Sequence, residues 1–494
     1  MKKIMKQMLA FFMMLAMVMG LGVTAFAADN TYTITIDKST SGHQYTAYQI
    51  FAGDLATDAS GNNILSNITW GNGITDAGKD HFGDAAAKAE SLTTVADAKA
   101  FATEVAGYLT NGHDSTYTGT NYTIGNLPAG YYLIKDNATL DGSETYTEYM
   151  LKVVQDVSTQ PKDSSVSFEK KVKDTNDTTG VTSDWQDSAD YDIGDEVPFL
   201  LKGTVASDYE KYDTYKFIFH DKQEAGLDFN ANSVKVSVGG TEIAKDKYTV
   251  VTSPTDGCTF EIKFDNLKDI DSVQAGSEIT VEYTSTLNNT AEIGKNGNVN
   301  EACLEFSNNP NGGGTTGKTD WDNVIVFTYD VVVNKYANSV EEANRLAGAE
   351  FTLEKVLPGG KTEKITVAKF NDDKSFRFSG LDDGDYILTE TTTPAGYNTI
   401  DPITFTVGAD HKITWTTEDR SEILTSLTGT AAAGNITFTA NDDKSELSTD
   451  VINRSGATLP ETGGIGTTIF YVVGGVLMAG AAILLITKKR MSTK

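Results

Sequence analysis

The chain is poor in basic charge, cysteine and histidine. Its 494 residues hold 40 lysines and arginines against 68 acids, with two cysteines and five histidines. A shortage of basic residues argues against nucleic-acid binding, which needs a cationic groove to track phosphates. An acidic surface of this kind favours solubility and resists aggregation. Two cysteines are too few to staple a chain of this length, and their spacing leaves open whether Cys258 and Cys303 pair in an oxidising exterior. No histidine stands near either in sequence, so no metal site is read, no cofactor is implied, and no nucleophile with an accompanying histidine or metal cluster suggests an enzyme.

Long apolar runs are also absent, except at the two ends. Lys2, Lys3 and Lys6 lead into an apolar stretch from Met8 to Val23, closed by Ala25-Phe26-Ala27, the small-residue pattern of a signal-peptidase site. Residues 1–27 are therefore expected to be removed, so that the chain begins at Ala28 outside the cytoplasm. Ile469 to Ile486 is apolar and long enough to cross most of a bilayer, giving a transmembrane segment at 469–487. The basic tail 488–494, with Lys488-Lys489-Arg490, should remain cytoplasmic. Together the two ends carry seven of the basic residues and no acid, which leaves 33 basic against 68 acidic residues between them, a formal charge of −35.

Directly before the second run stands Leu459-Pro460-Glu461-Thr462-Gly463. Followed by an apolar stretch and basic residues, it resembles the sortase sorting signal of Gram-positive surface proteins. The resemblance implies cleavage between Thr462 and Gly463, passage of the Thr462 carbonyl through a thioester to an amine, and final attachment to peptidoglycan. A simple single-span membrane anchor is the alternative that hydropathy alone allows.

Between the ends the sequence reads as strands, with Thr, Val, Tyr and Ile alternating with polar residues between Gly, Asn and Asp turns. Thr31 to Ile36, Val166 to Val172, Thr214 to Phe219, Glu278 to Tyr283 and Val324 to Val333 are examples. One Ala-rich helical patch is expected around Asp84 to Tyr108. Polar stretches at Asp156 to Ser165 and Asn308 to Asp320 suggest three domains, at 28–161, 162–322 and 323–457. The fold class expected is all-β, three tandem immunoglobulin-like β-sandwiches. Leu127-Pro-Ala-Gly130-Tyr-Tyr132-Leu-Ile-Lys-Asp136 echoes Leu381-Asp-Asp-Gly384-Asp-Tyr386-Ile-Leu-Thr-Glu390, so the first and third domains should share a plan.

In the third domain the two-residue period of a strand puts polar residues in phase with core residues. Val331, Val333 and Lys335 share a face, as do Tyr386, Leu388 and Glu390, and Val451 and Asn453. Burial disfavours the charged form of a lysine and of a carboxylate alike. A neutral amine could then attack the Asn carbonyl while the acid shuttles protons, releasing ammonia and leaving a Lys–Asn amide. Tyr386-Ile-Leu-Thr-Glu390-Thr-Thr-Thr-Pro394-Ala-Gly396-Tyr397 resembles the E-box of sortase-assembled pilins and collagen-adhesin B-type domains, whose members form such an intramolecular isopeptide bond. The resemblance makes Lys335 the nucleophile, Asn453 the acceptor and Glu390 the assisting acid. Three ordinary surface residues on edge strands are the alternative.

In the second domain Val166, Phe168, Lys170 and Val172 are in phase, as are Phe217, Phe219 and Asp221, and Ala302, Leu304, Phe306 and Asn308. Leu304-Glu-Phe-Ser-Asn308-Asn309-Pro310 is similar to the end of the middle domain of pilus shaft proteins. This assigns Lys170 to Asn308 with Asp221 assisting, although a bulge would bring in Lys171 or Asn309 instead. In the first domain Asp136 stands where Glu390 stands, and Lys38 is in phase with Ile34 and Ile36, but the closing strand Tyr149 to Val157 has no Asn, so a third bond is not expected.

Val157-Ser-Thr-Gln-Pro161-Lys162 resembles the pilin motif, whose lysine attacks the sortase-bound threonine of the next subunit; only Val157, Pro161 and Lys162 match. The resemblance as a whole implies a major pilin of a Gram-positive bacterium. Its partners would be a pilus-specific sortase, identical subunits in a head-to-tail covalent polymer, and tip and basal pilins. The alternatives are a monomeric wall-anchored adhesin, or a minor pilin, binding a host or matrix ligand.

Overall fold

The structure, a computed structural model, describes residues 31–456 apart from 40, 59–60, 139–147, 161–163, 311–313, 417–418 and 433–435, together with a few residues between 471 and 478. The leader, Lys162 and Leu459 to Gly463 lie outside the described residues, as does most of the second apolar run. No helix among the described residues is long and apolar enough to cross a membrane.

Three pairs of β-sheets follow one another along the chain. In the first, a four-stranded sheet runs in the order Thr116–Tyr117, Tyr122–Leu127, Tyr32–Ile36, Val157–Thr159. Facing it are Asn63–Trp70, Tyr45–Thr57, Gly130–Asp136 and Glu148–Val153, with His113–Asp114 on the edge of Tyr45–Thr57. Alternation places Ile34, Ile36, Tyr122, Ile124, Tyr132 and Ile134 between the sheets. The outer face of the second sheet, with Ile50, Phe51 and Leu133, is covered by Phe101, Ala85 and Val105 from helices. The expected helical patch is thus Ala85–Ser91 and Val95–Val105 with a final 3₁₀ turn, and a further helix, Asp76–Phe82, precedes it. Each has a polar N-cap: Thr75 accepts from the Gly78 amide, Asp84 from the Ala87 amide, and Thr94 with Asp97 forms a capping box.

The second pair sets Phe168–Val172, Glu196–Thr204, Glu278–Leu287 and Leu227–Val238 against Ser188–Asp190, Asp322–Phe327, Asn298–Ser307, Phe217–Gln223, Phe260–Phe264 and Thr249–Val251. Its core includes Phe199, Phe217, Phe219, Phe260, Leu304 and Phe306. The third pair sets Ser375–Leu381, Tyr329–Ala337 and Glu446–Asn453 against Glu350–Leu357, Gly384–Thr392, Ile403–His411 and Leu424–Ala431. Val324 to Val333, read as one strand, is two: Thr328 separates Asp322–Phe327, which pairs with Asn298–Ser307, from Tyr329–Ala337. Ile325 and Phe327 stay in the second sheet, opposite Val299 and Asp190, but their side chains pack in the third core beside Tyr329 and Phe378.

The sequence echo has a physical counterpart. The Tyr132 hydroxyl donates to the Pro128 carbonyl and the Tyr386 hydroxyl to the Asp382 carbonyl, each at 2.8 Å and each four residues back. Both tyrosines are fully buried, so each phenol needs a partner, and the same backbone turn supplies it.

Candidate functional site

In the third sandwich the strands that begin and end the unit lie side by side. Tyr329–Ala337 and Glu446–Asn453 are parallel neighbours, with Lys335 opposite Val451 and Ala337 opposite Asn453. On the facing sheet Glu390 is opposite Phe351. Lys335 and Asn453 are fully buried and Glu390 nearly so. The Lys335 ammonium donates to Asn453 Oδ1 and lies 3.3 Å from Glu390 Oε1. The Asn453 amide donates to both Glu390 oxygens, at 2.9 and 3.0 Å, and the Ile400 backbone amide donates to Glu390 Oε2 at 3.1 Å. Burial lowers the Lys335 pKa to about 8 against the opposing pull of Glu390. A sizeable fraction of neutral amine therefore sits beside an amide whose nitrogen is held by a carboxylate. Chemically, that arrangement suits amine attack on a carbonyl with proton transfer to the departing nitrogen.

The second sandwich has a related cluster with one more member. Lys170 Nζ lies 2.5 Å from Asp221 Oδ2 and donates to the Tyr283 hydroxyl at 2.9 Å. That hydroxyl donates to Asp221 Oδ2 at 2.7 Å and accepts from the Asn300 amide at 2.9 Å. All four side chains are buried. Burial lowers the Lys170 pKa against the pull of Asp221, and raises that of Asp221 against the pull of Lys170. Among the described residues the Asn300 carbonyl oxygen has no hydrogen-bond partner.

Asn308 is not in this cluster. Along the pairing of Phe217–Gln223 with Asn298–Ser307, Asp221 is opposite Ala302. Asn308 lies six residues further, about 20 Å along a strand, whereas Asn300 is two residues away on the same face. Lys171 is ion-paired with Asp187, away from the cluster. The signal for Asn300 was present, since it continues the phase of Ala302, Leu304 and Phe306. Tyr283 also follows Ile279 and Val281 in phase.

In the first sandwich the acid that echoes Glu390 is engaged differently. Asp136 is buried, pairs with His43 Nδ1 at 2.7 Å and accepts from the amides of Gln44 and Ala138 at 3.2 and 3.1 Å. Tyr45 stacks on the His43 ring at 5.4 Å. Lys38 is half-buried just beyond the strand Tyr32–Ile36. The approach to Lys162, Val157–Thr159, runs parallel to Ile34–Ile36 at the edge of its sheet.

The two cysteines, which could have formed a disulfide, are free thiols in the structure. Cys258 Sγ donates to Asp256 Oδ2 at 3.3 Å, and burial followed by Asp256 raises its pKa to about 12. Burial also raises the Cys303 pKa, to about 11, so neither is a ready thiolate.

Three parts of the chain match family models. Residues 193–310 match the Gram-positive pilin backbone subunit 2, Cna-B-like domain. Residues 330–421 match a prealbumin-like fold domain, and residues 453–492 match the LPXTG cell wall anchor motif. The chain is 26% identical over 98% of its length to the trypsin-resistant surface T6 protein of Streptococcus pyogenes serotype M6, all of which is covered. Among solved structures it resembles the T6 backbone pilin of that serotype, with a TM-score of 0.57 and 19% identity over 88% of this chain and 100% of that one. The full-length major pilin SpaD of Corynebacterium diphtheriae gives 0.51 and 19% over 87% and 98%. At such identity these two likenesses show the modular β-sandwich fold.

Proposed function

We propose that this chain, a Gram-positive pilin backbone subunit with Cna-B-like and prealbumin-like domains and an LPXTG cell wall anchor, is a shaft unit linked covalently both between and within subunits. Between subunits, a pilus sortase joins the Thr462 carbonyl of one copy to the Lys162 amine of the next, and the subunit at the base is passed to peptidoglycan. The apolar run 469–487 is then a temporary holding device. The order of sorting motif, apolar run and basic tail supports this, together with the lysine that follows the first sandwich.

Within subunits, Lys335 Nζ bonds to the Asn453 side-chain carbonyl carbon. The Asn453 nitrogen leaves as ammonia, and the proton it needs comes from the amine through Glu390. One observation carries this reading: a buried lysine and asparagine on the first and last strands of the third sandwich, in mutual contact with a buried glutamate from the facing sheet. The second sandwich is read in the same way with Lys170 as nucleophile and Asp221 as acid. Its acceptor is Asn300, which replaces Asn308 because Asn300 shares the Tyr283 hydroxyl with Lys170. The three sandwiches are read as the three domains expected from the sequence, with the second boundary, expected at 322/323, moved to Thr328 because Asp322–Phe327 pairs within the second sandwich. In the third sandwich the bond joins the opening and closing strands, and it would prevent tension from separating them without covalent rupture.

Immunoblots of cell-wall extracts test the polymer. A ladder in the unmodified strain that collapses to a single band with Lys162→Ala is expected. A ladder unchanged by that substitution would overturn the role given to Lys162.

A further inference from the structure

The outer face of the second sandwich carries side chains of metal-ligand type that strand pairing brings to one point. On Phe217–Gln223 the residues Phe217, Phe219 and Asp221 face inward, so His220 points to the other side of the sheet. Glu261 is opposite His220 on Phe260–Phe264, and Asp256 and Cys258 stand in the turn that leads into that strand. His220 Nδ1 lies 2.8 Å from Asp256 Oδ2 and 3.3 Å from Glu261 Oε1, and Cys258 Sγ lies 3.3 Å from Asp256 Oδ2. One donor atom each of His220, Asp256 and Cys258 lies within 4.8 Å of the other two. Asp256 Oδ1 accepts from the Cys258 amide at 3.1 Å, which leaves Oδ2 facing the group. The His220 ring is buried, whereas Asp256 and Cys258 are partly open to solvent, so an ion can enter.

Hydrogen bonds alone do not account for this convergence. An imidazole nitrogen carries at most one proton, yet Nδ1 faces two carboxylates. Among the described residues no lysine or arginine is ion-paired with Asp256 or Glu261. The other ring nitrogen is already engaged: Nε2 donates to Glu305 Oε2 at 3.1 Å, and Lys216 holds Glu305 at 2.7 Å. A metal-binding histidine has its second nitrogen bound to a carboxylate in this way, which fixes the ring and leaves the lone pair of the first for the ion. Tetrahedral zinc, with bonds of about 2.0 Å to nitrogen and oxygen and about 2.3 Å to sulfur, sets neighbouring donors about 3.3–3.5 Å apart. The separations of 2.8, 3.3 and 3.3 Å already approach that arrangement.

We propose that His220 Nδ1, Asp256, Cys258 and Glu261 bind one zinc ion on the outer face of the second sandwich. Imidazole, thiolate and carboxylate together suit zinc, whereas calcium and magnesium take sets made of oxygen alone. On binding, the Cys258 thiol proton and any proton on Nδ1 pass to solvent, and the ion takes their place between the carboxylates. His220 adjoins Asp221, whose side chain meets Lys170 on the inner face. The bound ion therefore braces from outside the strand that presents the assisting acid, and fastens to it the turn before Phe260–Phe264.

Calorimetric titration of the full chain in detergent with zinc chloride, after stripping with EDTA and under a phosphine reductant, tests this. One saturable zinc per chain is expected, with affinity weakened about tenfold or more by Cys258→Ser and likewise by Asp256→Asn. Loading with cobalt(II) in place of zinc should give thiolate-to-cobalt charge-transfer absorption that Cys258→Ser removes. Absence of saturable zinc binding by the unmodified chain overturns the proposal, and so does undiminished binding by both variants. Cobalt bound without the charge-transfer absorption overturns the part given to Cys258. If Cys258→Ser fails to fold, Asp256→Asn and the cobalt spectrum of the unmodified chain decide.

Discussion

The third and second sandwiches solve the same problem with different partners. In the third, lysine, asparagine and glutamate touch directly, with the Asn453 amide held by both carboxylate oxygens. In the second, the lysine and the acid touch, but the asparagine reaches them through the Tyr283 hydroxyl. A buried ammonium needs several acceptors in a low-dielectric core, and where the amide is set further back a phenol supplies the extra contact. The first sandwich marks the far end of the comparison: its acid is held by His43, and the closing strand offers no asparagine. A buried acid at the end of this strand is thus a shared feature of the first and third plans, whereas the chemistry follows from what faces it.

Breaking the direct cluster should have the largest effect. Glu390→Ala is expected to leave the third sandwich without its bond, so that its intact mass falls short of its own sequence sum by one ammonia fewer than the unmodified protein does. The bond would span 118 residues, and by analogy with a disulfide closing a loop of that size its loss costs about 5 kcal/mol, readable as a lower unfolding temperature. Asp221→Ala is expected to do the same to the second sandwich alone, with a cost of about 3–5 kcal/mol from the uncompensated buried lysine. A mass equal to the sequence sum in the unmodified protein would refute both bonds.

Tyr283→Phe sharpens the contrast between direct and bridged geometry. It should slow closure of the second bond while leaving the third intact, and cost about 1–3 kcal/mol for the buried groups left unpaired. Equal slowing of both bonds would count against the bridging role. For the third bond, the neutral amine is the reactive form, and the Lys335 pKa of about 8 sets its fraction. The folded-state pKa is below the ordinary lysine value, so the uncrosslinked fold gains stability as pH rises from about 8 towards the unfolded value. Closure in freshly synthesised chains should accelerate about tenfold per pH unit below 8 and level off above it, as followed by mass in cell-free synthesis at graded pH. The smallest effect is expected from Asn308→Ala, which should leave the ammonia count unchanged.

Strand period and phase went far in locating these sites, because a buried face repeats every second residue. That is how Lys335, Glu390 and Asn453 stood out, and Lys170 and Asp221 with them. The same period explains the error at Asn308. Phase fixes the face of a strand but not the position along it, so Asn300 and Asn308 were equivalent until pairing set Asp221 opposite Ala302. Tyr283 went unnoticed because a tyrosine in phase with Ile279 and Val281 reads as core, which it also is. The interruption at Thr328 was hidden by continuous apolar residues on both sides. The group around His220 was illegible for another reason: His220 and Cys258 are far apart in sequence and meet only through the pairing of Phe217–Gln223 with Phe260–Phe264.

Peptide mapping of the protein by tandem mass spectrometry tests the central claim most directly. Two branched species are predicted, one joining the Lys335 and Asn453 peptides and one joining the Lys170 and Asn300 peptides, each short of one ammonia. Linear peptides carrying unmodified Lys335 and Lys170 would contradict the internal bonds, and a branch from Lys170 to Asn308 would contradict the bridged cluster of the second sandwich.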